Sequence, residues 1–173
     1  LDISQFNPEA RRSAEWIAAR LGEDARAVLE DLAPSADLPE LGASLVHGSP
    51  RHPVWEYILN AVTAAENFPF VATSLCFFGH THVPVAYEEG VDGALRLALS
   101  SGSPMRLESA CRYLVNPGSV GQPRDGDPRA SYARFDTEAR TVDLHRVPYD
   151  IRATQAKILA AGLPERLAGR LDF

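Results

Sequence analysis

The sequence has little cysteine, since only Cys76 and Cys111 occur among its 173 residues. Two cysteines are too few for a disulfide framework, and Cys76 lies inside the apolar run 75–78, where a buried thiol is expected. The chain also lacks an apolar run long enough to cross a bilayer, and its first residues lack a basic or apolar leader pattern. These deficits argue against a disulfide-stabilised secreted domain and predict a cytoplasmic protein without a membrane partner.

Positive charge is also scarce. Lysine and arginine number 17 against 23 aspartates and glutamates, for a formal net charge of -6. Because a broad electrostatic grip on nucleic acid needs clustered positive charge, long nucleic acids are unfavourable partners. A small phosphorylated substrate, a mononucleotide or a short oligonucleotide is still compatible with this composition, since a local basic pocket suffices for it.

The composition predicts one globular domain over residues 1–173, because 45% of the residues are hydrophobic and 23% are charged. The chain begins with Leu1 rather than methionine, directly ahead of a helix signal. We therefore expect it to be a portion of a longer protein.

The first third of the chain predicts two helices. The Asn-Pro-Glu run at 7–9 places a cap, a proline and an acid in the order of a helix start, so a helix is predicted from there to about residue 21. A second helix is predicted over 24–32, and the proline-bounded stretch 34–39 is predicted to be a loop.

Short apolar runs then alternate with a helical pattern, which predicts an α/β fold. Buried strands are expected at 44–46 and 75–78, with a helix over 53–66 between them. Alternating segments predict further strands at 83–87, 95–99, 113–115, 131–136 and 141–147, and a final helix over 151–161.

Histidines follow the two buried strands at the ends where loops gather. His47 follows the first strand, and His80 and His82 follow the second. Ligands of open α/β sheets bind outside the carboxyl ends of the strands, and neutral imidazole is a common ligand of zinc, iron, nickel and manganese. Spacing alone is weak evidence, because a His-x-His pair occurs often by chance.

The wider context resembles the calcineurin-like metallophosphoesterases, in their bacterial phosphodiesterase-like branch. The resemblance covers about Pro39 to Tyr149 and is carried by the Val-His-Gly-Ser-Pro run at 46–50, the Gly-His-Thr-His run at 79–82 and the Asn-Pro-Gly-Ser run at 116–119. It implies the C-terminal half of a four-layer β-sandwich flanked by helices. It also implies that His47 and His80 bind one cation and His82 its neighbour.

Three of the family's five metal-binding motifs are missing. No Asp-x-His, Gly-Asp or Gly-Asn-His motif precedes His47, and nearby acids such as Asp31 and Asp37 lie in helix or loop patterns. The bridging carboxylate is therefore expected to lie outside this chain, in a removed amino-terminal half or another chain that completes the sheet. This chain would hold no catalytic residue of its own and would be nearly inactive alone.

For the intact enzyme, the resemblance implies hydrolysis of a phosphodiester or phosphomonoester by a metal-bound hydroxide at a dinuclear centre of Mn, Fe, Ni or Zn. Arg124 is a candidate substrate contact because a guanidinium offers a fork of donors, although Asp125 and Asp127 are available to pair with it. Arg51 is a weaker candidate. Asn116 is expected to form a turn, and His52 and His145 are assigned no role.

Two alternatives and one open question follow from the same residues. The fold could serve as a catalytically inactive scaffold or protein-binding module, because the amino-terminal ligand motifs are missing. The three histidines could instead hold a single zinc with water as the fourth ligand. The sequence is compatible with assembly of the chain into a homo-oligomer.

Overall fold

The structure is a computed structural model that describes residues 3–4, 6–90, 95–97, 99 and 101–172, with side chains not described for 95–97. No helix within these ranges is both long enough and apolar enough to span a membrane. The helices are α1 (Pro8–Ala18), α2 (Glu23–Asp31), α3 (Ala61–Asn67), α4 (Ile151–Ala160) and α5 (Glu165–Gly169). The strands are β1 (Ser35–Leu38), β2 (Ala43–Val46), β3 (Leu75–Phe77), β4 (Val85–Glu89), β5 (Leu95–Leu97), β6 (Met105–Arg106), β7 (Arg112–Asn116), β8 (Ala130–Asp136) and β9 (Thr141–Val147).

The chain forms two compact units, one of residues 1–33 with 150–172 and the other of 34–149. The first unit contains α1, α2, α4 and α5. Asn7 caps α1 as predicted, since its side-chain oxygen accepts a hydrogen bond from the backbone N–H of Ala10 at 2.9 Å. Arg12 of α1 donates to the carbonyl of Gly162, just beyond α4, at 2.7 Å. The single-domain prediction for 1–173 stays a prediction.

The second unit is built on a mixed six-stranded sheet in the order β1-β2-β3-β7-β4-β5. Strands β2, β3 and β7 run parallel at its centre, while β1, β4 and β5 pair antiparallel with their neighbours. The parallel strands bring their carboxyl ends to one edge of the sheet. His47, His80 and the Asn-Pro-Gly turn at 116–118 follow those three ends in the sequence.

A three-stranded antiparallel sheet in the order β6-β9-β8 packs on one face of the larger sheet. The core between the two sheets joins residues such as Leu75 and Val115 with Val142, all of them 0% exposed. The other face is covered by α3 and its surroundings, where Ala64 and Phe68 pack with Leu114. The predicted mixed α/β architecture with helices flanking two sheets is confirmed.

Two element predictions are wrong. Residues 35–38, expected within a loop, form the antiparallel edge strand β1, whose first three residues are exposed and therefore lack the apolar alternation of a buried strand. The helix expected over 53–66 exists only from Ala61, where Asn60 caps α3. Residues 53–59 form a turn and an irregular stretch instead.

Candidate metal-binding site

His47 and His80 are brought together by neighbouring parallel strands. β2 ends at Val46, β3 ends at Phe77, and the backbone N–H of Gly79 donates to the carbonyl of His47 at 2.9 Å. Nothing larger than glycine fits at 79 without movement, because a Cβ there would lie 3.2 Å from that carbonyl oxygen. The backbone therefore joins the two histidine loops directly.

The two imidazoles meet edge to face. The Nε2 atom of His47 lies 3.0 Å from the Nδ1 atom of His80, and the ring centroids are 4.8 Å apart at an interplanar angle of 60°. Without a cation, one ring donates and the other accepts, which requires complementary tautomers. A cation between them would take a lone pair from each nitrogen instead.

His82 is held by the loop at 119–124. Its Nδ1 atom lies 2.9 Å from the carbonyl of Gln122, so Nδ1–H donates and Nε2 keeps a free lone pair. The backbone N–H of Arg124 donates to the carbonyl of His82 at 3.2 Å, and Ser119 Oγ accepts from the N–H of Gln122 at 2.9 Å. Metal-binding histidines usually donate their second ring N–H to a carbonyl or carboxylate in this way.

Asn116 supports the loop that carries His80 and His82. Its side chain is 0% exposed, and Nδ2 donates to the carbonyl of Gly79 at 2.8 Å and to the hydroxyl of Thr81 at 2.9 Å. Its Oδ1 accepts from the N–H of Gly118 at 2.9 Å. The predicted turn after β7 is therefore present, and its asparagine also fixes the histidine loop.

Both histidines of this loop have left-handed backbone conformations, with φ of 65° for His80 and 60° for His82. Such angles are uncommon for residues with a side chain and cluster at functional sites. The buried Asn116 amide donates to Gly79 and to Thr81, on either side of His80, and these contacts hold the loop in this conformation.

Burial lowers the pKa of both His80 and His82, chiefly because desolvation disfavours the imidazolium. Positive charge on His47 lowers both pKa values further, as does the cationic Arg124, so His82 lies within electrostatic range of the other two rings. Hydrogen bonding to the Trp55 backbone opposes the shift at His80, and the Gln122 carbonyl opposes it at His82. Lowered pKa values favour the neutral imidazoles that metals bind.

The three histidines fit one part of a cation site. Two nitrogens each about 2.1 Å from a cation and roughly at right angles are about 3 Å apart, which matches the His47–His80 separation. Within the described ranges, however, no three His, Cys, Asp or Glu side chains form a group able to hold a metal ion. Assignment of the three histidines as ligands therefore stays a prediction.

The two candidate arginines differ in their surroundings. Arg51 forms ion pairs with Glu56 and with Glu66, so two carboxylates already balance its charge without a substrate. Arg124 has no acidic side chain within salt-bridge distance among the residues that the structure describes. The expected partners of Arg124 are engaged elsewhere, since Asp125 pairs with Arg146 and Asp127 pairs with Arg129 and Arg146.

The segment at 48–59 folds back on the site around one carboxylate. Glu56 accepts hydrogen bonds from the hydroxyl of Ser49 at 2.6 Å, from the amide of Asn67 at 2.8 Å and from the guanidinium of Arg51. The Arg51 contact, first among these, lowers the pKa of Glu56 to about 2. Through Glu56, this network holds the irregular segment that takes the place of the predicted helical turns.

Tyr57 lies against the site from this segment. Its ring stacks on the His80 imidazole with centroids 3.9 Å apart and an interplanar angle of 21°. The sequence predicted a helix over 53–66 and gave no sign that Tyr57 lies beside His80. Gln122 and the supporting role of Asn116 were also missed, because their contacts join residues about 40 positions apart.

The remaining histidines, His52 and His145, make local contacts. His145 in β9 has Nε2 2.9 Å from Asp143 Oδ2 and stacks on Tyr132 with centroids 4.9 Å apart. His52 is exposed, and its backbone N–H donates to Ser49 Oγ at 3.0 Å.

Comparison with known proteins identifies a family and structures of the same fold. A family model described as the calcineurin-like phosphoesterase superfamily domain matches residues 19–140. A crystal structure of a metallophosphoesterase from Sphaerobacter thermophilus superposes with a TM-score of 0.84 and 47% identity, covering 99% of this chain and 69% of that one. The structure of hypothetical protein PH1004 from Pyrococcus horikoshii OT3 shares the fold, with a TM-score of 0.74 and 20% identity over 96% of this chain and 61% of that one.

A curated relative, the uncharacterised protein MJ0912 of Methanocaldococcus jannaschii, is 42% identical over 128 residues. The match covers 72% of this chain and 49% of the relative, so it spans about half of that protein's length. The family match begins at residue 19, ahead of Pro39, and so is not confined to the segment that carries the histidine motifs.

Proposed function

Because the chain belongs to the calcineurin-like phosphoesterase superfamily, we propose that it contributes His47, His80 and His82 to a centre that hydrolyses phosphodiesters or phosphomonoesters of small molecules. The observation that carries the proposal is the 3.0 Å approach of His47 Nε2 to His80 Nδ1 at the carboxyl ends of adjacent parallel strands. Anchoring of His82 by the Gln122 carbonyl supports it.

In this proposal, two divalent cations bind, with manganese as the first choice to test, and the remaining ligands come from outside this chain. When bound, such cations supply an activated water and neutralise charge on the phosphoryl oxygens. The protein's own contribution is to present neutral imidazoles in fixed orientations through Gln122 and Asn116. Arg124 would donate to a phosphate oxygen, since its charge already acts on His80 and His82. The low cysteine content supports a reducing compartment such as the cytoplasm.

The test is hydrolysis by the intact protein that contains this chain. With Mn²⁺ present, we expect release of p-nitrophenol from bis(p-nitrophenyl) phosphate or from p-nitrophenyl phosphate. A chelator should stop the reaction and added Mn²⁺ should restore it. Absence of cation-dependent release from both compounds would contradict the proposal.

Arg124→Gln is expected to weaken substrate binding. A hydrogen bond to a charged group contributes about 1.5–3 kcal/mol, so KM should rise roughly 10- to 100-fold with a smaller change in kcat. Arg129→Gln is the matched control, because Arg129 is already paired with Asp127 and should leave KM within about twofold. The KM values of the two variants are compared by steady-state kinetics on whichever aryl substrate reacts faster. Equal KM values would contradict the assignment of Arg124 as a substrate contact.

A catalytically inactive scaffold is the second candidate. One observation favours it, namely that the described residues hold no complete group of three metal ligands. The two candidates differ in what the intact protein binds, because a scaffold would take up no Mn²⁺ at the histidines. Isothermal titration with Mn²⁺ therefore separates them without an assay of turnover.

A further inference from the structure

Tyr57 combines a fixed position beside the candidate site with a surface that is open to solvent. One part of its ring stacks on His80, with centroids 3.9 Å apart, yet the residue is 43% exposed. We propose that Tyr57 is a specificity residue, whose outward surface stacks on a flat aromatic group of the phosphate ester that this site accepts. The inference rests on the proposed function and adds the chemical class of the substrate.

The position of Tyr57 is fixed by its neighbours on both sides in the sequence. The Glu56 carboxylate accepts hydrogen bonds from Ser49, Arg51 and Asn67. On the other side, Ile58 is only 1% exposed and packs in the core beside α3. The Tyr57 ring is therefore a stacking platform whose position is already fixed, and it loses little conformational entropy when a ligand stacks on it.

Gly48 holds the start of the segment that carries Tyr57. Its N–H donates to the carbonyl of Pro53 at 2.6 Å, and a Cβ at 48 would lie 3.0 Å from the carbonyl oxygens of both Pro53 and Glu56. A larger residue at 48 would therefore require these carbonyls, which lie in the turn that leads to Tyr57, to move by a few tenths of an ångström. The segment follows the metal-ligand candidate directly, so the platform and His47 are positioned by one stretch of chain.

Charge and aromatic surface lie on different residues around His80. The backbone N–H of Arg124 donates to the carbonyl of His82 at 3.2 Å, two residues from His80, while Tyr57 contacts the His80 ring itself. A phosphate near His80 and Arg124 would bring its ester substituent near Tyr57. Because aromatic rings of any base or aryl group stack on tyrosine, the class predicted is a phosphate ester of an aryl alcohol or a nucleoside.

A single exposed tyrosine is ordinary on a protein surface, and an orienting contact for His80 would by itself explain the stack. The two roles predict different selectivity. A residue that only orients His80 would affect every ligand of the centre equally. A stacking platform affects ligands that carry a ring and spares those that lack one.

The experiment measures binding to the intact protein loaded with Mn²⁺, using phenyl phosphate, adenosine monophosphate and inorganic phosphate as probes. Tyr57→Leu is expected to weaken binding of the two aromatic probes about tenfold while inorganic phosphate changes by less than twofold. Tyr57→Phe keeps the ring and should bind all three as the unaltered protein does. Titration calorimetry gives the affinities, together with that of Mn²⁺.

Three results would overturn the inference. They are an equal loss of affinity for all three probes in Tyr57→Leu, a loss of Mn²⁺ affinity in that variant, and no preference of the unaltered protein for the aromatic probes. If Tyr57→Leu does not fold, nuclear Overhauser contacts between the Tyr57 ring and phenyl phosphate bound to the unaltered protein decide the matter, measured with diamagnetic Zn²⁺ in place of paramagnetic Mn²⁺, and their absence overturns the inference. Failure of the proposed function has a separate signature, because it is the lack of cation-dependent hydrolysis and not a change in probe selectivity.

Discussion

His80→Ala is expected to reduce cation-dependent hydrolysis by the intact protein roughly 10³-fold. The side chain lies 3.0 Å from the ring nitrogen of His47 and stacks on Tyr57, so its removal takes away a proposed ligand and opens the site. Cations contribute several kcal/mol to stabilisation of the phosphoryl transition state, and about 4 kcal/mol corresponds to that factor. The measurement is kcat/KM on an aryl phosphate ester at saturating Mn²⁺.

The matched control is His145→Ala. His145 is also a partly buried histidine with a stacked aromatic neighbour, but it lies on β9 and contacts Asp143 and Tyr132. Its replacement should leave kcat/KM within about threefold. If the two variants lose activity to the same extent, the effect comes from lost stability, and the assignment of His80 to the centre is wrong.

Asn116→Asp is expected to have the largest effect on stability. The substitution preserves shape but replaces the amide donor, so a buried carboxylate oxygen would face the carbonyl of Gly79 at about the present 2.8 Å. Leaving a buried charge without its partners costs about 3–5 kcal/mol in free energy of unfolding. Urea unfolding monitored by far-ultraviolet circular dichroism measures the change.

The same variant should bind Mn²⁺ about 10- to 100-fold more weakly, which is the usual effect of losing a residue that orients metal ligands. Asn60→Asp is the control, because Asn60 caps α3 by accepting from the N–H of Thr63 at 3.0 Å and aspartate caps equally well. Its free energy of unfolding should change by less than about 0.5 kcal/mol. A similar small change in Asn116→Asp would show that the amide does not hold the histidine loop.

Much of the fold follows from local signals in the sequence. The Asn-Pro start of α1 works through a cap that spans three residues, and β8 and β9 form where the alternating segments predict strands. Such features depend on neighbours in the chain. They are therefore accessible without knowledge of the tertiary structure.

The errors lie where distant residues decide the conformation. The apolar spacing at 54–62 is helical, yet Glu56 is held by Ser49 and Asn67, and α3 begins only after Asn60. The strand β1 has no apolar pattern of its own and forms because β2 offers it an edge. Propensity is a weak prior that such tertiary contacts override.

In the candidate site too, the sequence predicted some residues and missed those that depend on distant contacts. His47, His80 and His82 were predicted from their places after apolar strands, and the structure brings His47 and His80 into contact. The residues that orient them, Asn116 and Gln122, belong to other segments and were not predicted in these roles. An Asn-Pro-Gly turn directly after a buried strand was the one available signal, and it indicated the turn but not its two hydrogen bonds to the histidine loop.

The most direct test of the account is the position of a bound cation in crystals of the intact protein soaked with Zn²⁺. We expect an anomalous difference peak about 2.1 Å from both His47 Nε2 and His80 Nδ1, the two atoms that lie 3.0 Å apart in this structure. A zinc-loaded protein whose His47 and His80 rings still hydrogen-bond to each other, with the anomalous signal elsewhere, would contradict it.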